Sequence, residues 1–458
     1  MRIIICGAGQ VGFSIAKHLA QEGNDVVVID HSTDLTRKVS DTLDVKAITG
    51  FASDPAILEQ AGAADAELMI AVTHSDEVNM VACQIGHSLF DVTTKIARIR
   101  NQGYLEPKWG NLFTRDNMPI DVIISPEQEV AESIAGKLRV PGAFESIPLV
   151  EGKVMLVGVR CTEECPIVNT PLKQLTQLFP GLDAVVVGIV RGDKNIIPNK
   201  DEQLLSGDGV YVVVETGQLA RLMTVFGHDE VEARRLVIFG GGNIGLALAQ
   251  RVEEEHTNVN IKVVEADKST AEAAARSLKR SVVIQGNVLD TEILEEANVS
   301  SAEAVVAVTN DDEANILASL LAKRGGSSRS ITLVNNNVFE TITPSLGIDV
   351  IVNPRNITVS SILQHVRRGR IQSVYALQEG FGEVICGEAL ETSELVGDEL
   401  KNISLPDGVL VGAIVQNKKV ILPRGATVIQ PHDIVVLFSA SEAVKQVEQL
   451  FSVGLEFF

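Results

Sequence analysis

Apolar and polar positions alternate in blocks along much of the chain. Short apolar runs at residues 3–5 and 236–239 each precede a segment whose apolar residues recur at helical spacing. In the first of these segments Val11, Ile15 and Leu19 lie on one helical stripe. Short buried strands that alternate with amphipathic helices indicate a parallel sheet with helices on both faces. The pattern therefore predicts two α/β domains, one in each half of the chain.

A second texture, dominated by strands, follows each predicted α/β domain. Its clearest apolar runs are residues 155–159, 184–190 and 210–214 in the first half, and 409–415 and 434–438 in the second. We predict an α/β fold of two Rossmann-like, doubly wound parallel-sheet domains, each followed by a small α+β domain. The predicted domain boundaries are 1–140, 141–230, 231–368 and 369–458.

Two glycine-rich turns carry the repeat signal. Gly7, Gly9 and Gly12 form a GxGxxG turn after the first apolar run, and the turn that begins at Gly240 has the same spacing. A single GxGxxG is weak evidence for a nucleotide site. Here later motifs recur in the same order, including an acidic residue at the end of the next apolar run (Asp30 and Glu265) and a threonine further on (Thr73 and Thr309). This order predicts an internal duplication.

The glycine turns have a chemical meaning. In such a turn the first glycine permits the bend from strand to helix, the second lets a pyrophosphate approach the backbone, and the third lets the helix pack on the strand. The helix N-terminus offers free N–H groups to phosphate. Asp30 and Glu265 stand where a carboxylate can accept hydrogen bonds from ribose hydroxyls. Because a carboxylate repels a 2′-phosphate, we expect NAD or an adenosine nucleotide rather than NADP. The alternative, turns that only shape a non-binding fold, carries more weight for the second repeat.

The two repeats differ at one predicted strand. Residues 95–100 alternate so that Arg98 and Arg100 fall on the same side, where guanidinium groups could neutralise phosphates. The second repeat has Leu333 and Asn335 at these positions. We therefore predict a phosphate clamp in the first repeat only. The alternative for Arg98 is a solvated charge on an edge strand.

Thr73 and Thr309 end Ala-Val-Thr runs and should lie at the carboxyl edge of their sheets, where ligands of doubly wound folds bind. His74 follows the first threonine. Asp76 and Glu77, and likewise Asp312 and Glu313 in the second repeat, are predicted to cap the next helix at its positive end rather than to take part in catalysis.

Composition narrows the possible partners. Asp and Glu number 60 against 39 Lys and Arg, and the net charge of −21 repels nucleic acids, so we expect none as a partner. No apolar stretch approaches the ~18 residues that span a bilayer, and no signal peptide is expected before the first strand. The five scattered cysteines suggest reduced thiols. Cys161 and Cys165 have a metal-like spacing without a second pair, which leaves zinc as a weak alternative.

A duplicated enzyme should repeat its proton donor or acceptor. His74 aligns with Asn310 and so fails this requirement, and the sequence has no Walker A lysine, GxSxG turn or HExxH motif. We predict that the chain is not an enzyme. An NAD-dependent dehydrogenase with duplicated Rossmann domains and a structural scaffold with vestigial glycine turns are the alternatives.

The ordered motifs resemble the N-terminal and C-terminal domains of the RCK (regulator of potassium conductance) family. The resemblance covers essentially the whole chain as a tandem pair and rests on the first glycine turn followed by Asp30, Gly50, Asp54, Thr73, Asn79, Arg98 and Pro126. It implies a cytoplasmic regulator attached peripherally to the inner membrane through an integral-membrane potassium-translocating subunit. NAD(H), ATP and ADP are the implied ligands, and RCK rings imply a homotetramer of such chains. Nucleotide binding would shift the shape of the ring and so gate the membrane subunit.

The resemblance also implies a pocket in each repeat. In the first repeat, the implied residues are Gly7, Ala8, Gly9, Gln10 and Val11 on the pyrophosphate, Asp30 on the ribose, Thr73 and His74 at the sheet edge, and Arg98 on phosphate. In the second repeat, they are Gly240, Gly241, Gly242, Asn243, Ile244, Glu265, Thr309 and Asn310. No metal site and no catalytic residue is implied. Leu333 departs from the pattern, so we expect weaker binding there.

Overall fold

The structure is a computed structural model that describes residues 1–451 except 193, 229, 231, 337, 340–345, 367–370 and 378–380. It divides into two compact units. The first is Met1–Val130 with Asn353–Val366, and the second is Ala131–Val352 with Arg367–Phe458. The domain boundaries given above stay a prediction, and those at 230/231 and 368/369 touch residues outside the described part of the chain.

The first unit contains a parallel sheet of six described strands, β1 (Arg2–Cys6), β2 (Asp25–Asp30), β3 (Lys46–Thr49), β4 (Leu68–Ala71), β5 (Thr94–Arg98) and β6 (Val122–Ile124). Their order is β3-β2-β1-β4-β5-β6. Its helices are α1 (Gln10–Gln21), α2 (Thr33–Thr42), α3 (Pro55–Gln60), α4 (Asp76–Phe90) and α5 (Pro126–Arg139), the last of which ends in the second unit. The strand order reverses between β1 and β4, and this switch point opens a crevice at the carboxyl edge.

The second unit begins with a small antiparallel sheet and continues with a second parallel one. The antiparallel strands are β7 (Ala143–Leu149), β8 (Val154–Arg160), β9 (Ala184–Arg191), β10 (Lys194–Ile196) and β11 (Gly209–Glu215), with α6 (Leu172–Leu178) and α7 (Leu219–Val225). The parallel strands are β12 (Arg235–Phe239), β13 (Asn260–Glu265), β14 (Val282–Gln285), β15 (Ala304–Ala307), β16 (Arg329–Leu333) and β17 (Val350–Val352). Their order, β14-β13-β12-β15-β16-β17, repeats that of the first unit.

The helices of the second parallel repeat are α8 (Asn243–Glu255), α9 (Lys268–Ser277), α10 (Thr291–Glu296), α11 (Asp312–Gly325) and α12 (Pro354–Val366). The last small domain contains β18 (Ile371–Ala376), β19 (Gly382–Glu388), β20 (Val409–Gln416), β21 (Lys419–Ile421), β22 (Ile434–Ala440) and α13 (Val444–Leu450). Its strand order, β18-β19-β22-β20-β21, matches β7-β8-β11-β9-β10 of the first small domain. The five apolar runs predicted as strands all lie within strands, but β7, β10, β18, β19 and β21 were not predicted.

A helix from the second half of the sequence completes the core of the first unit. The helix α12 packs against α1, and its side chains Ile362 and Leu363 join the same apolar cluster as Ile3, Ile15 and Val28. The first parallel sheet therefore has one of its faces covered in part by a helix of the other repeat. This cover on one face contributes to the complete burial of the three isoleucines of β1.

Aromatic side chains join the two small sheets, which pack against each other within the second unit. The rings of Phe144, Tyr211, Phe381 and Phe438 follow one another at centroid distances of 5.4, 5.8 and 5.3 Å. A side chain at Gly188 would meet this chain of rings, because a Cβ there would lie 2.5 Å from the Phe381 ring. Close approach at this glycine lets the two sheets share one core.

This shared core yields a stability prediction. Phe381 is 3% exposed, so Phe381→Ala should lower the free energy of unfolding by about 3–5 kcal/mol through lost burial and the cavity left behind. Phe51 is 63% exposed, and Phe51→Ala should change stability by less than about 0.5 kcal/mol. Denaturant unfolding of both variants measures the difference. Equal losses would show that the aromatic chain does not hold the small domains together.

Candidate nucleotide-binding site

The first glycine turn bends the chain from β1 into α1. Gly7 has φ +116°, which disfavours any side chain, and a Cβ there would lie 3.0 Å from the backbone of Val72 and Thr73. At Gly12 a Cβ would lie 1.9 Å from the carbonyl oxygen of Gly7. At Gly9, by contrast, a Cβ would meet no atom of the described residues within 4 Å. The first and third glycines are therefore required by packing, whereas the second leaves open the space that the predicted pyrophosphate would need.

The second turn has the same geometry. Gly240 has φ +104°, and a Cβ at Gly245 would lie 1.9 Å from the carbonyl oxygen of Gly240. Within the described part of the chain, a Cβ at Gly242 would meet nothing within 4 Å. Both helices begin with one exposed and one half-buried residue, which are Gln10 and Val11 in α1, and Asn243 and Ile244 in α8.

The acidic residues at the ends of β2 and β13 lie against the glycine turns. The carboxylate of Asp30 accepts hydrogen bonds from the backbone N–H of Ala8 at 2.7 Å and of Ser32 at 2.8 Å. Glu265 accepts one from the N–H of Gly241 at 2.7 Å. Each carboxylate oxygen can accept more than one hydrogen bond, so capacity for ribose hydroxyls is left. Both carboxylates therefore lie beside the glycine turns, as the sequence predicted. Each also accepts a hydrogen bond from the glycine turn of its own repeat.

A buried asparagine ties the ends of β4 and β5 together. The side-chain oxygen of Asn79 accepts hydrogen bonds from the backbone N–H and the hydroxyl of Thr73, at 2.8 and 2.7 Å. Its side-chain nitrogen donates to the carbonyl oxygen of Arg98 at 2.9 Å. Asn79 has no exposed surface, so these bonds are shielded from water. Sequence reasoning gave this residue no role, although its recurrence six positions after the threonine of each repeat was a usable signal.

The buried carboxylate of Asp76 holds the loop that follows β5. It accepts hydrogen bonds from the backbone N–H of Arg100 at 3.0 Å and of Asn101 at 2.8 Å. The residue that caps α4 is Ser75, whose hydroxyl accepts from the N–H of Val78. Asp76 and Glu77 thus lie in the first turn of α4, at its positive end as predicted, but neither is the N-cap residue. The side chain of Asp76 turns instead to the neighbouring strand end, where two unpaired backbone donors need an acceptor.

The second repeat builds the same two ties from Asn315 and Asp312. Asn315 accepts from the N–H of Thr309 at 2.8 Å and donates to the carbonyl oxygen of Leu333 at 3.1 Å. Asp312 accepts from the N–H of Asn335 at 3.0 Å. These bonds confirm that Leu333 stands at the position of Arg98 and that Asn335 stands at the position of Arg100.

Arg98 places a charged side chain at the carboxyl edge of the first sheet. It is half-buried, and its Nη2 donates to the carbonyl oxygen of Thr73 at 2.7 Å. Its Nε is buried and has no hydrogen-bond partner among the described residues. Burial lowers the pKa of Arg98, and the positive charge of Arg100 lowers it further. A desolvated guanidinium with a spare donor is a good partner for an anionic oxygen.

Arg100 is engaged with a carboxylate that sequence reasoning missed. Its Nε lies 3.1 Å from Oε1 of Glu127, which is buried in the first turn of α5. The other oxygen of Glu127 has no hydrogen-bond partner among the described residues. In the second repeat the position of Arg98 is occupied by the buried apolar side chain of Leu333. Arg98 therefore lies at the predicted sheet edge, whereas Arg100 forms an ion pair with Glu127.

The remaining predicted residues lie at the same edges. His74 and Asn310 are exposed just after β4 and β15, beside the half-buried Thr73 and Thr309. Among the described residues, no group of three or more His, Cys, Asp or Glu side chains could hold a metal ion. None of the helices in the described ranges is long and apolar enough to cross a membrane.

Two family models match the chain, each of them twice. The TrkA-N domain model matches residues 3–126 and 236–354, and the TrkA-C domain model matches residues 156–227 and 388–452. The Trk system potassium uptake protein TrkA of Azorhizobium caulinodans is 51% identical over 458 residues, covering 100% of both chains. The protein of the same name from Halomonas elongata is 39% identical over 464 residues, again covering 100% of both.

Solved structures show the same fold. The crystal structure of the GsuK RCK domain is 18% identical, with a TM-score of 0.60 over 98% of this chain and 94% of that one. A GsuK channel bound to NAD is also 18% identical, with a TM-score of 0.59 over 98% of this chain and 78% of that one. The predicted fold class and the resemblance to RCK domains are confirmed. The relatives are named as potassium uptake proteins, which confirms that the chain is not an enzyme.

The two asparagine ties offer a matched pair of variants. Asn79→Ala and Asn315→Ala each leave a threonine N–H and a strand-end carbonyl without partners, so each should cost about 2–4 kcal/mol of stability. Only Asn79→Ala displaces Arg98, so only this variant should also weaken ATP binding. Denaturant unfolding and calorimetric titration with ATP measure the two effects. An equal loss of affinity in both variants would contradict the assignment.

Proposed function

The chain belongs to the family of proteins with tandem TrkA-N and TrkA-C domains, and on this basis we propose that it is the nucleotide-binding regulatory subunit of a Trk-type potassium uptake system. Its partner in this proposal is the integral-membrane potassium-translocating subunit. The protein is then cytoplasmic and attached peripherally to the inner membrane through that partner. The names of the full-length relatives and the RCK fold support this assignment.

The nucleotide site proposed to carry regulation is that of the first repeat. One observation carries the proposal: the open space before Gly9 and the unpartnered Nε of Arg98 lie at the carboxyl edge of one sheet. A ligand that contains phosphates and a ribose matches these groups together with Asp30. NAD(H), ATP and ADP have this chemistry, and a GsuK structure of the same fold is described as bound to NAD. The corresponding site of the second repeat has the turn and Glu265, but Leu333 stands at the position of Arg98.

Phosphate binding would act on the ion pair at the start of α5. Arg100 forms an ion pair with Glu127. A phosphate bound near Arg98 would compete with the carboxylate of Glu127 for the guanidinium of Arg100. Glu127 lies in the first turn of α5, and this helix continues into the second unit. A ligand that takes Arg100 from Glu127 would therefore bias where α5 begins. A nucleotide that contacts one arrangement better than the other shifts the balance between them.

Regulation of this kind needs no covalent chemistry. The bound nucleotide changes the relative stability of two shapes, and the membrane subunit responds to the shape. In the proposed assembly four chains form a homotetramer, whose eight RCK units make a ring. Differences between nucleotides then arise from the number and position of their phosphates, because these decide whether Arg98 and Arg100 are both engaged.

Replacing the arginine of the first site gives the sharpest binding prediction. Arg98→Ala should weaken ATP binding about 10- to 100-fold, since a charge-assisted hydrogen bond is worth about 1.5–3 kcal/mol. The matched control is Leu333→Ala at the same position of the second repeat, which removes apolar packing but no charge. Calorimetric titration of both variants with ATP checks the asymmetry, and comparable losses in the two would refute it.

Transport supplies the functional test. Potassium flux through the membrane partner in proteoliposomes should change with ATP, ADP or NADH only when this protein is present. Arg98→Ala should blunt that change while leaving the protein folded. The regulatory proposal would be contradicted if the potassium flux were the same with each nucleotide and in the absence of nucleotide.

A further inference from the structure

Two cysteines lie in one surface turn of the first small domain, far in sequence from the nucleotide site. Cys161 follows β8 directly, and Cys165 lies four residues later. Both side chains are buried, with 1% and 4% exposure, and they belong to one apolar cluster. The backbone N–H of Cys161 donates to the carbonyl oxygen of Asp208 at 2.8 Å, and that of Cys165 donates to Thr162 at 3.2 Å. The turn therefore holds the two thiols in a fixed arrangement.

The side chains of the two cysteines interact and differ in acidity. The interaction raises the pKa of Cys161 and lowers that of Cys165. Burial opposes ionisation of Cys165, but the backbone N–H groups of Ile167 and Val168 and the nearby His228 lower its pKa. A thiolate at Cys165 therefore has donors around it, which is the environment of a reactive cysteine.

His228 belongs to the segment that lies against this turn. A Cβ at Gly227 would lie 3.5 Å from the Cα of Cys165. The ring nitrogen Nδ1 of His228 is 3.0 Å from a carboxylate oxygen of Glu230, and Nε2 is 3.3 Å from the carbonyl oxygen of Arg160. Both ring nitrogens of His228 therefore lie within hydrogen-bond distance of an oxygen atom.

The other cysteines lack such surroundings. Burial raises the pKa of Cys6 to about 12 and that of Cys386 to about 11, and it also raises the pKa of Cys83. The second repeat carries Ala389 and Ser393 in the corresponding turn, where Ala389 donates to Asp433 and Ser393 to Leu390 at 2.9 Å each. The pair of thiols is thus a feature of the first repeat alone.

We propose that Cys161 and Cys165 are an oxidation site that closes reversibly to an intramolecular disulfide, with a small disulfide such as oxidised glutathione as the oxidant. The thiolate of Cys165 attacks the small disulfide, forms a mixed disulfide and releases one thiolate. Cys161 then attacks the sulfur of Cys165, and the second small thiolate leaves; the two released thiolates take up the protons that Cys161 and Cys165 have lost. Two protein thiols are oxidised and one small disulfide is reduced to two thiols.

Access to the pair requires only a local opening of the turn. Thr162, Glu163 and Glu164, which connect the two cysteines, are all exposed. The turn is therefore at the surface although its sulfur atoms face inward, and short surface turns open at a small cost in free energy. This proposal stands apart from the nucleotide site, because no residue of that site takes part in it.

Trypsin digestion separates the pair from the other three cysteines. Cleavage after Arg160 and Lys173 yields the peptide 161–173, which contains both thiols and no other cysteine. The full-length native protein is treated with oxidised glutathione, alkylated with iodoacetamide and digested without reduction. We expect this peptide to lose two hydrogens and carry no alkyl group, and to regain two alkyl groups after dithiothreitol. Two alkyl groups before reduction, or glutathione adducts without an internal bond, would overturn the proposal.

Single variants test the order of the two steps. Cys161→Ala and Cys165→Ser copy the residues that the second repeat accepts in the same turn, so both should fold with a melting temperature close to that of the parent. Cys161→Ala should stop at a glutathione adduct on Cys165, whereas Cys165→Ser should leave Cys161 without an adduct. The reverse pattern, or no adduct on Cys165 in a folded Cys161→Ala protein, would contradict the mechanism.

Discussion

Burial of both faces of two parallel sheets is the constraint on which the rest of this structure depends. Parallel strands need helices on each side, and the fully buried Ile3, Ile4 and Ile5 of β1 show how complete this covering is. In the first unit part of the cover is α12, a helix of the other repeat. Because all strands point the same way, their carboxyl ends meet at one edge. Residues as distant in sequence as Gly9 and Arg98 are brought there by the sheet order alone.

The two edges have the same frame and different chemistry. Asn79 and Asp76 in the first repeat, like Asn315 and Asp312 in the second, satisfy backbone groups that neighbouring strands leave open. In the first repeat, the guanidinium of Arg98 is half-buried and has a donor, Nε, without a partner among the described residues. Burying such a donor costs free energy unless an acceptor binds to it. The second carries Leu333, which packs at no such cost. We interpret this free-energy cost in the first repeat as an indication that Arg98 binds a ligand.

Sequence alone gave the fold class and the correspondence of the repeats, because glycine spacing and apolar periodicity report on local backbone geometry. It could not identify the partner of α12, since an amphipathic helix shows which face is buried but not against which sheet. The strand β7 was missed because Pro148 and its mixed polarity hide the alternation. Glu127 was missed because its contact with Arg100 depends on the pairing of β5 with β6.

The central claim is that one chain contains two unequal nucleotide sites. Its most direct test is the stoichiometry of binding, measured by calorimetric titration of the full-length protein with ATP, ADP and NADH. The account predicts one tight equivalent per chain, followed by weak binding or none. Two equivalents of equal affinity, or no binding of any of the three nucleotides, would contradict it.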